Sequence, residues 1–135
     1  MTQVKPIQMA LNSQDDVVSV RQAVRSAAVQ LGLNLIDQTK IVTAASELAR
    51  NTVIHGKGGF AFIETVQETG KHGIRLTFED RGPGIADLER AMTDGFTSGG
   101  GLGLGLGGSK RLASDFSIQS KPGEGTRVVI TRWKS

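Results

Sequence analysis

The chain has no cysteine among its 135 residues. That excludes a disulfide scaffold and any thiolate-ligated zinc site, and makes the reducing cytoplasm the expected setting. No window approaches the roughly 18 consecutive apolar residues of a membrane-crossing helix, and MTQVKPIQMA lacks the charged start and apolar stretch of an export signal. Neither membrane insertion nor secretion is indicated. One-sided charge is also missing: 16 Lys+Arg stand against 13 Asp+Glu, a formal net charge of +3 with the signs interspersed. Such a balance leaves no footprint for nucleic acid. At this length a single domain over residues 1–135 is expected, burying roughly two-thirds of its unfolded surface.

Glycine is what the chain has in excess. Eight of its 18 glycines fall between Gly95 and Gly108, in DGFTSGGGLGLGLGG. Ordering glycine costs backbone entropy, so such a concentration suits backbone that must approach a ligand closely or act as a lid. A flexible linker would interleave Ser and polar residues. Here Leu102, Leu104 and Leu106 alternate with the glycines instead.

Hydrophobic periodicity organises the rest. Residues 4–11, VKPIQMAL, alternate Ile7, Met9 and Leu11 as a strand that Pro6 confines to an edge. From Asp15 to Leu31 the apolar positions Val17, Val20, Val24, Ala27 and Leu31 recur every three or four residues, predicting a helix capped by Ser13 and stopped at Gly32. Asn34 caps a second, longer helix striped by Ile41, Ala45, Leu48 and Thr52 and ended by Gly56. Residues 59–67 and 73–79 predict a hairpin joined through ETGKHG. A short helix over about 108–113 precedes a second hairpin, FSIQS and TRVVITRW around KPGEG. The expected fold class is α+β: a two-layer sandwich with a mixed, mostly antiparallel sheet and its helices on one face.

Four segments can carry chemistry. In the second helix Glu47, Asn51 and His55 recur every four residues, forming a polar row beside the buried stripe that faces a cleft. An amide oxygen at Asn51 can serve a hard cation such as Mg²⁺, while Glu47 can polarise a hydroxyl or water. An exposed polar helix face would look the same, and His55 next to Gly56 also suits the negative end of the helix. Asp80 opens DRGPG after a strand, where a carboxylate can accept from an exocyclic amine and Gly82 and Gly84 let backbone approach a flat ring. Residues of this kind equally make ordinary turns. Thr97–Gly108 offers successive backbone N–H groups leading into a helix, a natural anion site. Gly103, Gly105 and Gly108 fit GxGxxG, but no strand precedes them, and Gly108-Ser109-Lys110 does not have the P-loop order. Finally, Gly123, Gly125 and Thr126 open the last strand.

In this order the segments resemble the GHKL family of ATP-binding domains, over about Glu47 to Thr126. The boxes read ELARNTVIH, DRGPG, SGGGLGLGL and GEGT. The resemblance implies the Bergerat-type fold, with ATP and Mg²⁺ as cofactors. It implies that Glu47 is the catalytic base, Asn51 holds Mg²⁺, Asp80 binds the adenine amine and Thr126 supports the adenine edge. Gly82 and Gly84 would line the nucleotide, together with Thr97, Ser98, Gly99, Gly100, Gly101, Leu102, Gly103, Leu104 and Gly105. Within the family the short chain is similar to the stand-alone anti-sigma-factor-type serine/threonine kinases, of the RsbT type. That likeness implies phosphorylation of a STAS-domain regulator in a bacterial partner-switching, stressosome-type pathway, with a downstream phosphatase or output protein as further partner. A cation near the γ-phosphate is expected, with Lys57, Arg81, Lys110 and Arg111 as equal candidates. Arg21 on the first helix resembles a residue of the partner surface. The competing reading is a partner-binding or anti-sigma module whose catalysis is incidental.

Overall fold

Local sequence signals start and stop the two long helices. The computed structural model describes residues 6–85, 97–98, 102–103 and 106–134. Strand β1 covers Ile7–Leu11 and leads into helix α1, Gln14–Leu31. The Ser13 side chain accepts the Asp16 N–H, satisfying a free donor of the first turn, and Asp16 Oδ2 reaches back to accept the Asn12 N–H at 2.8 Å just before the cap. Gly32 ends α1 in the left-handed region with φ 89°, a conformation that favours glycine. Asn34 Oδ1 then accepts the Asp37 N–H at 2.7 Å and opens helix α2, Leu35–Ile54.

Strands β2 (Gly59–Glu68) and β3 (Lys71–Asp80) form a longer hairpin than the sequence predicts. Thr69 and Gly70 both have positive φ, 41° and 78°, so the turn needs only two residues and the strands stay paired from Gly59↔Asp80 to Glu68↔Lys71. A two-stranded ribbon, β4 (Thr97–Ser98) with β5 (Leu102–Gly103), precedes helix α3, Leu106–Leu112, and the hairpin of β6 (Asp115–Ser120) and β7 (Thr126–Trp133). The main sheet runs β1-β2-β3-β7-β6, and every described pairing is antiparallel, with no parallel pair to make it mixed.

Alternation along the strands builds the core. Ala61, Ile63, Ile74, Leu76, Phe78, Val128 and Ile130 are buried on one face of the sheet. Against them lie Val17, Val20, Val24 and Ala28 from α1, and Ile41, Ala45, Leu48 and Ala49 from α2. The expected two-layer α+β sandwich is thus present, with the Ile41, Ala45, Leu48 and Thr52 stripe of α2 turned inward as expected. Ile7 is an exception: it is 53% exposed although Leu11, at the other end of the edge strand β1, is fully buried.

One ion pair joins the two layers at the far end of α2. Asp37 Oδ1 accepts from Arg132 Nη2 at 2.7 Å and Nε at 3.2 Å, and Arg132 Nη1 reaches the Leu112 carbonyl at 3.3 Å. A single side chain on β7 therefore fixes the start of α2 and the end of α3. Both partners are largely withdrawn from water, at 17% and 3% exposure. Removing Arg132 takes the opposite charge away from a buried carboxylate. Arg132→Ala should therefore lower the unfolding free energy by about 3 kcal/mol or more in urea melts, and the apolar pair Asp37→Leu with Arg132→Met should restore most of it.

Candidate functional site

Three elements converge on the carboxylate of Asp80, the last residue of β3. It shares the inward face with Phe78, and its backbone pairs with Gly59 of β2 and Thr126 of β7. Asp80 Oδ1 accepts the Gly82 N–H at 2.9 Å, and the backbone N–H of Thr126 also donates to the carboxylate. Around it the backbone is packed too closely for side chains. A Cβ at Gly56 would stand 2.5 Å from the Asp80 Cβ, one at Gly82 2.7 Å from the Gly56 carbonyl oxygen, and one at Gly125 2.9 Å from the Arg81 Cα. Gly125 further has φ 81°, which glycine adopts without strain. Burial pushes the Asp80 carboxyl above its ordinary pKa, opposed by the Gly82 and Thr126 donors and by the nearby His55.

The loop after β3 is locked to the β6–β7 turn. The Gly123 N–H donates to the Pro83 carbonyl at 2.7 Å, and the Ile85 N–H donates to Ser120 Oγ at 2.8 Å. His55, at the end of α2, brings Nε2 to 3.4 Å from the Gly84 carbonyl oxygen. Asn51, His55, Asp80, Ile85, Leu106 and Thr126 thereby surround a cavity of about 20 Å³. Its floor and walls are apolar, from Leu48, Phe78 and Val128. The space suits a single water, so a purine enters only when a wall such as Leu106 shifts.

A far larger cavity, about 1110 Å³, lies on the opposite, helix-free face of the sheet. Phe60, Glu79, Arg127 and Gln119 line it, and their register pairs Phe60↔Glu79, Glu79↔Arg127 and Gln119↔Arg127 place them all on that face. Size favours this groove, but its central charges are exposed and satisfy each other: Arg127 Nε lies 3.0 Å from Glu79 Oε1. Asp80 and Thr126 line both cavities; the small one joins them to Asn51 and His55 of α2 among the apolar walls of Leu48, Phe78 and Val128, the composition of a small-molecule site.

Sequence reasoning foresees part of this arrangement. Asn51, Asp80 and Thr126 meet in the cavity, and Gly82 and Gly84 shape the loop beside it. Glu47 lies outside the cavity lining, one turn before Asn51, with its side chain 41% exposed and 3.4 Å from Arg50 Nη1. The row of Glu47, Asn51 and His55 is therefore split, with only its last two members in the cavity. The backbones of Thr97, Ser98, Leu102 and Gly103 pair as the β4–β5 ribbon, while Gly99, Gly100, Gly101, Leu104 and Gly105 lie outside the described residues. Of the four candidate cations, Lys57, Lys110 and Arg111 are exposed, and Arg81 turns to the large open-face groove. Arg21 is exposed on α1. Two contributors were not foreseen. Gly56 reads in sequence as a helix stop, yet its missing side chain makes room for Asp80. Ser120 reads as an ordinary strand residue, and no sequence signal marks its contacts.

The cavity's donor set suits an adenine nucleotide, since a carboxylate and a hydroxyl stand among apolar walls. Among the described residues no group of three or more His, Cys, Asp or Glu could hold a metal ion. A single amide such as Asn51 is nevertheless enough for Mg²⁺ that is bound mainly through phosphates and water.

Comparison with known proteins shows the family. Residues 36–134 match the family described as histidine kinase-, DNA gyrase B-, and HSP90-like ATPases. The chain is 47% identical to serine/threonine-protein kinase RsbT of Bacillus subtilis, over 87% of this chain and 89% of that one. It is 34% identical to the anti-sigma F factor of the same organism, over 83% of this chain and 80% of that one. In structure it matches the RsbU and RsbW domains of Rv1364c from Mycobacterium tuberculosis with a TM-score of 0.67 at 24% identity, covering 98% of this chain and a third (33%) of that one. The catalytic domain of histidine kinase ThkA matches with a TM-score of 0.56 at 17% identity, covering 97% of both chains. These two structural likenesses bear on the fold, which is that of a histidine kinase catalytic domain.

Two variants test the geometry of the carboxylate. The Asp80 carboxyl titrates higher in the folded than in the unfolded chain, so its contribution to stability is full when protonated and is lost as the pH rises through the folded pKa. Asp80→Asn, always neutral, should therefore melt no lower than the parent at neutral pH, and its advantage should shrink as the pH is lowered. Gly56→Ala must displace the carboxylate and should cost about 1–3 kcal/mol in chemical unfolding.

Proposed function

We propose that this chain, which belongs to the histidine kinase-, DNA gyrase B-, and HSP90-like ATPase family, uses ATP with Mg²⁺ to phosphorylate serine or threonine on a STAS-domain regulator. Serine/threonine kinase activity follows from the likeness to RsbT, and a partner-switching setting from the likeness to RsbT and the anti-sigma F factors together. The observation that carries the reading is the meeting of Asn51, Asp80 and Thr126 on one cavity in such a chain. We take residues 1–135 as a single GHKL domain acting in the cytoplasm of a stressosome-type pathway, with a downstream phosphatase or output protein as its other partner. No described helix is long and apolar enough to cross a membrane.

When bound, Mg·ATP supplies an activated γ-phosphoryl group with its charge partly neutralised. The chain's residues divide the remaining work. Asp80 accepts from the adenine amine, Thr126 supports the base edge, and Asn51 lends its amide oxygen to the cation. By the family likeness, backbone N–H groups of the glycine-rich segment between Thr97 and Gly105 would serve the phosphates. Glu47 takes the proton of the partner's hydroxyl as its oxygen bonds to the γ-phosphorus and the bond to the bridging oxygen of ADP breaks. Its exposure and its loose contact with Arg50 suit a base that must meet a protein substrate arriving from outside. Phosphoryl transfer asks mainly for positioning and electrostatics, which such a site can provide.

A second reading is favoured by the anti-sigma F relatives: partner capture as the main function, with catalysis incidental. One variant separates the two. With labelled ATP, Mg²⁺ and candidate STAS proteins, label should appear on Ser or Thr, and Glu47→Ala should reduce transfer by about 100-fold or more without lowering the melting temperature. Label on histidine, or no transfer to any such partner, would contradict the kinase reading, and full transfer by Glu47→Ala would contradict the role of Glu47 as base. Unchanged regulation in cells carrying Glu47→Ala would favour partner capture.

A further inference from the structure

We infer that Ser120, acting through Thr126, sets the base specificity of the site by holding the Thr126 hydroxyl as a hydrogen-bond acceptor toward the cavity. The inference rests on the nucleotide-site reading and concerns a residue that does not itself line the small cavity.

A serine hydroxyl has one proton to donate and two lone pairs to accept with. Ser120 Oγ has three partners: the Ile85 N–H at 2.8 Å, the Gly125 carbonyl oxygen at 3.0 Å, and Thr126 Oγ1 at 2.9 Å. Ile85 N–H can only donate and the Gly125 carbonyl can only accept. For all three contacts to be hydrogen bonds, the single Ser120 proton goes to Gly125 and the Thr126 proton fills the contact between the two hydroxyls. Thr126 Oγ1 then has only lone pairs left for the cavity it lines. Beside it stands the Asp80 carboxylate, whose oxygens also accept. This end of the site therefore offers acceptors, which match the 6-amino group of adenine. The 6-oxo group of guanine is itself an acceptor and finds no donor there.

Ser120 is a positioning residue on this account, and its loss alters selectivity rather than only stability. In Ser120→Ala the Thr126 hydroxyl is free to rotate and donate, so the site should discriminate less. Isothermal titration of the purified chain with Mg·ADP and Mg·GDP reads this without any protein substrate. The parent should bind ADP at least about 100-fold more tightly than GDP, since a site built for one hydrogen-bond pattern rejects the other. Ser120→Ala should narrow that ratio about tenfold or more, whereas Ser120→Thr, which keeps the hydroxyl, should preserve it. If Ser120→Ala loses its cooperative unfolding transition, Ser120→Cys, a near-isostere with a weak hydrogen-bonding thiol, takes its place with the same expectation. A ratio unchanged in Ala or Cys, or equally narrowed in Thr, overturns the role of Ser120 while leaving the nucleotide site standing. A parent that binds neither nucleotide overturns both.

Discussion

The structure depends on how the Asp80 carboxylate is accommodated. A carboxyl group half-withdrawn from water is costly unless donors satisfy it, and here the donors are the backbone N–H groups of Gly82 and Thr126. To bring them close, three chain segments pass within contact distance of one another, and at Gly56, Gly82 and Gly125 none of them has space for a side chain. The end of α2, the loop after β3 and the start of β7 are thus assembled around a single acceptor. Burial still prevails over the donors, so the carboxyl stays above its ordinary pKa. An acceptor on an apolar floor is what a base-binding site requires.

The rest of the fold serves this point. α2 carries Asn51 and His55 to the cavity because the adjoining stripe of Ile41, Ala45, Leu48 and Thr52 is buried on the sheet, with Leu48 and Thr52 themselves lining the cavity. Arg132 fixes the opposite end of the helix through Asp37 and at the same time holds the end of α3. Leu106, at the start of α3, closes the cavity.

Elements governed by nearest neighbours were legible in the sequence. Ser13, Gly32 and Asn34 cap the helices through contacts within four residues, and the α2 stripe follows from helical period alone. Asp80 and Thr126 were legible through a motif order rather than through any property of either residue. What stayed hidden is tertiary. The β2–β3 turn shortens because Thr69 adopts positive φ, which a threonine seldom does and its sequence does not announce. Gly56 serves a residue on another strand, and Ser120 in FSIQS becomes informative only when Ile85, Gly125 and Thr126 surround it. Period likewise puts Glu47 in line with Asn51, but not how far the cavity extends along the helix.

The central claim is that nucleotide binds between α2 and the sheet at Asp80, and not in the larger groove on the open face. An amide-resolved NMR titration with Mg·ADP decides this directly. The account predicts saturable shifts at Gly56, Gly82 and Val128, around the small cavity, with Gln8, Phe60 and Gln119 little changed. Shifts concentrated at Gln8, Phe60 and Gln119, with Gly56 and Gly82 unmoved, would contradict it.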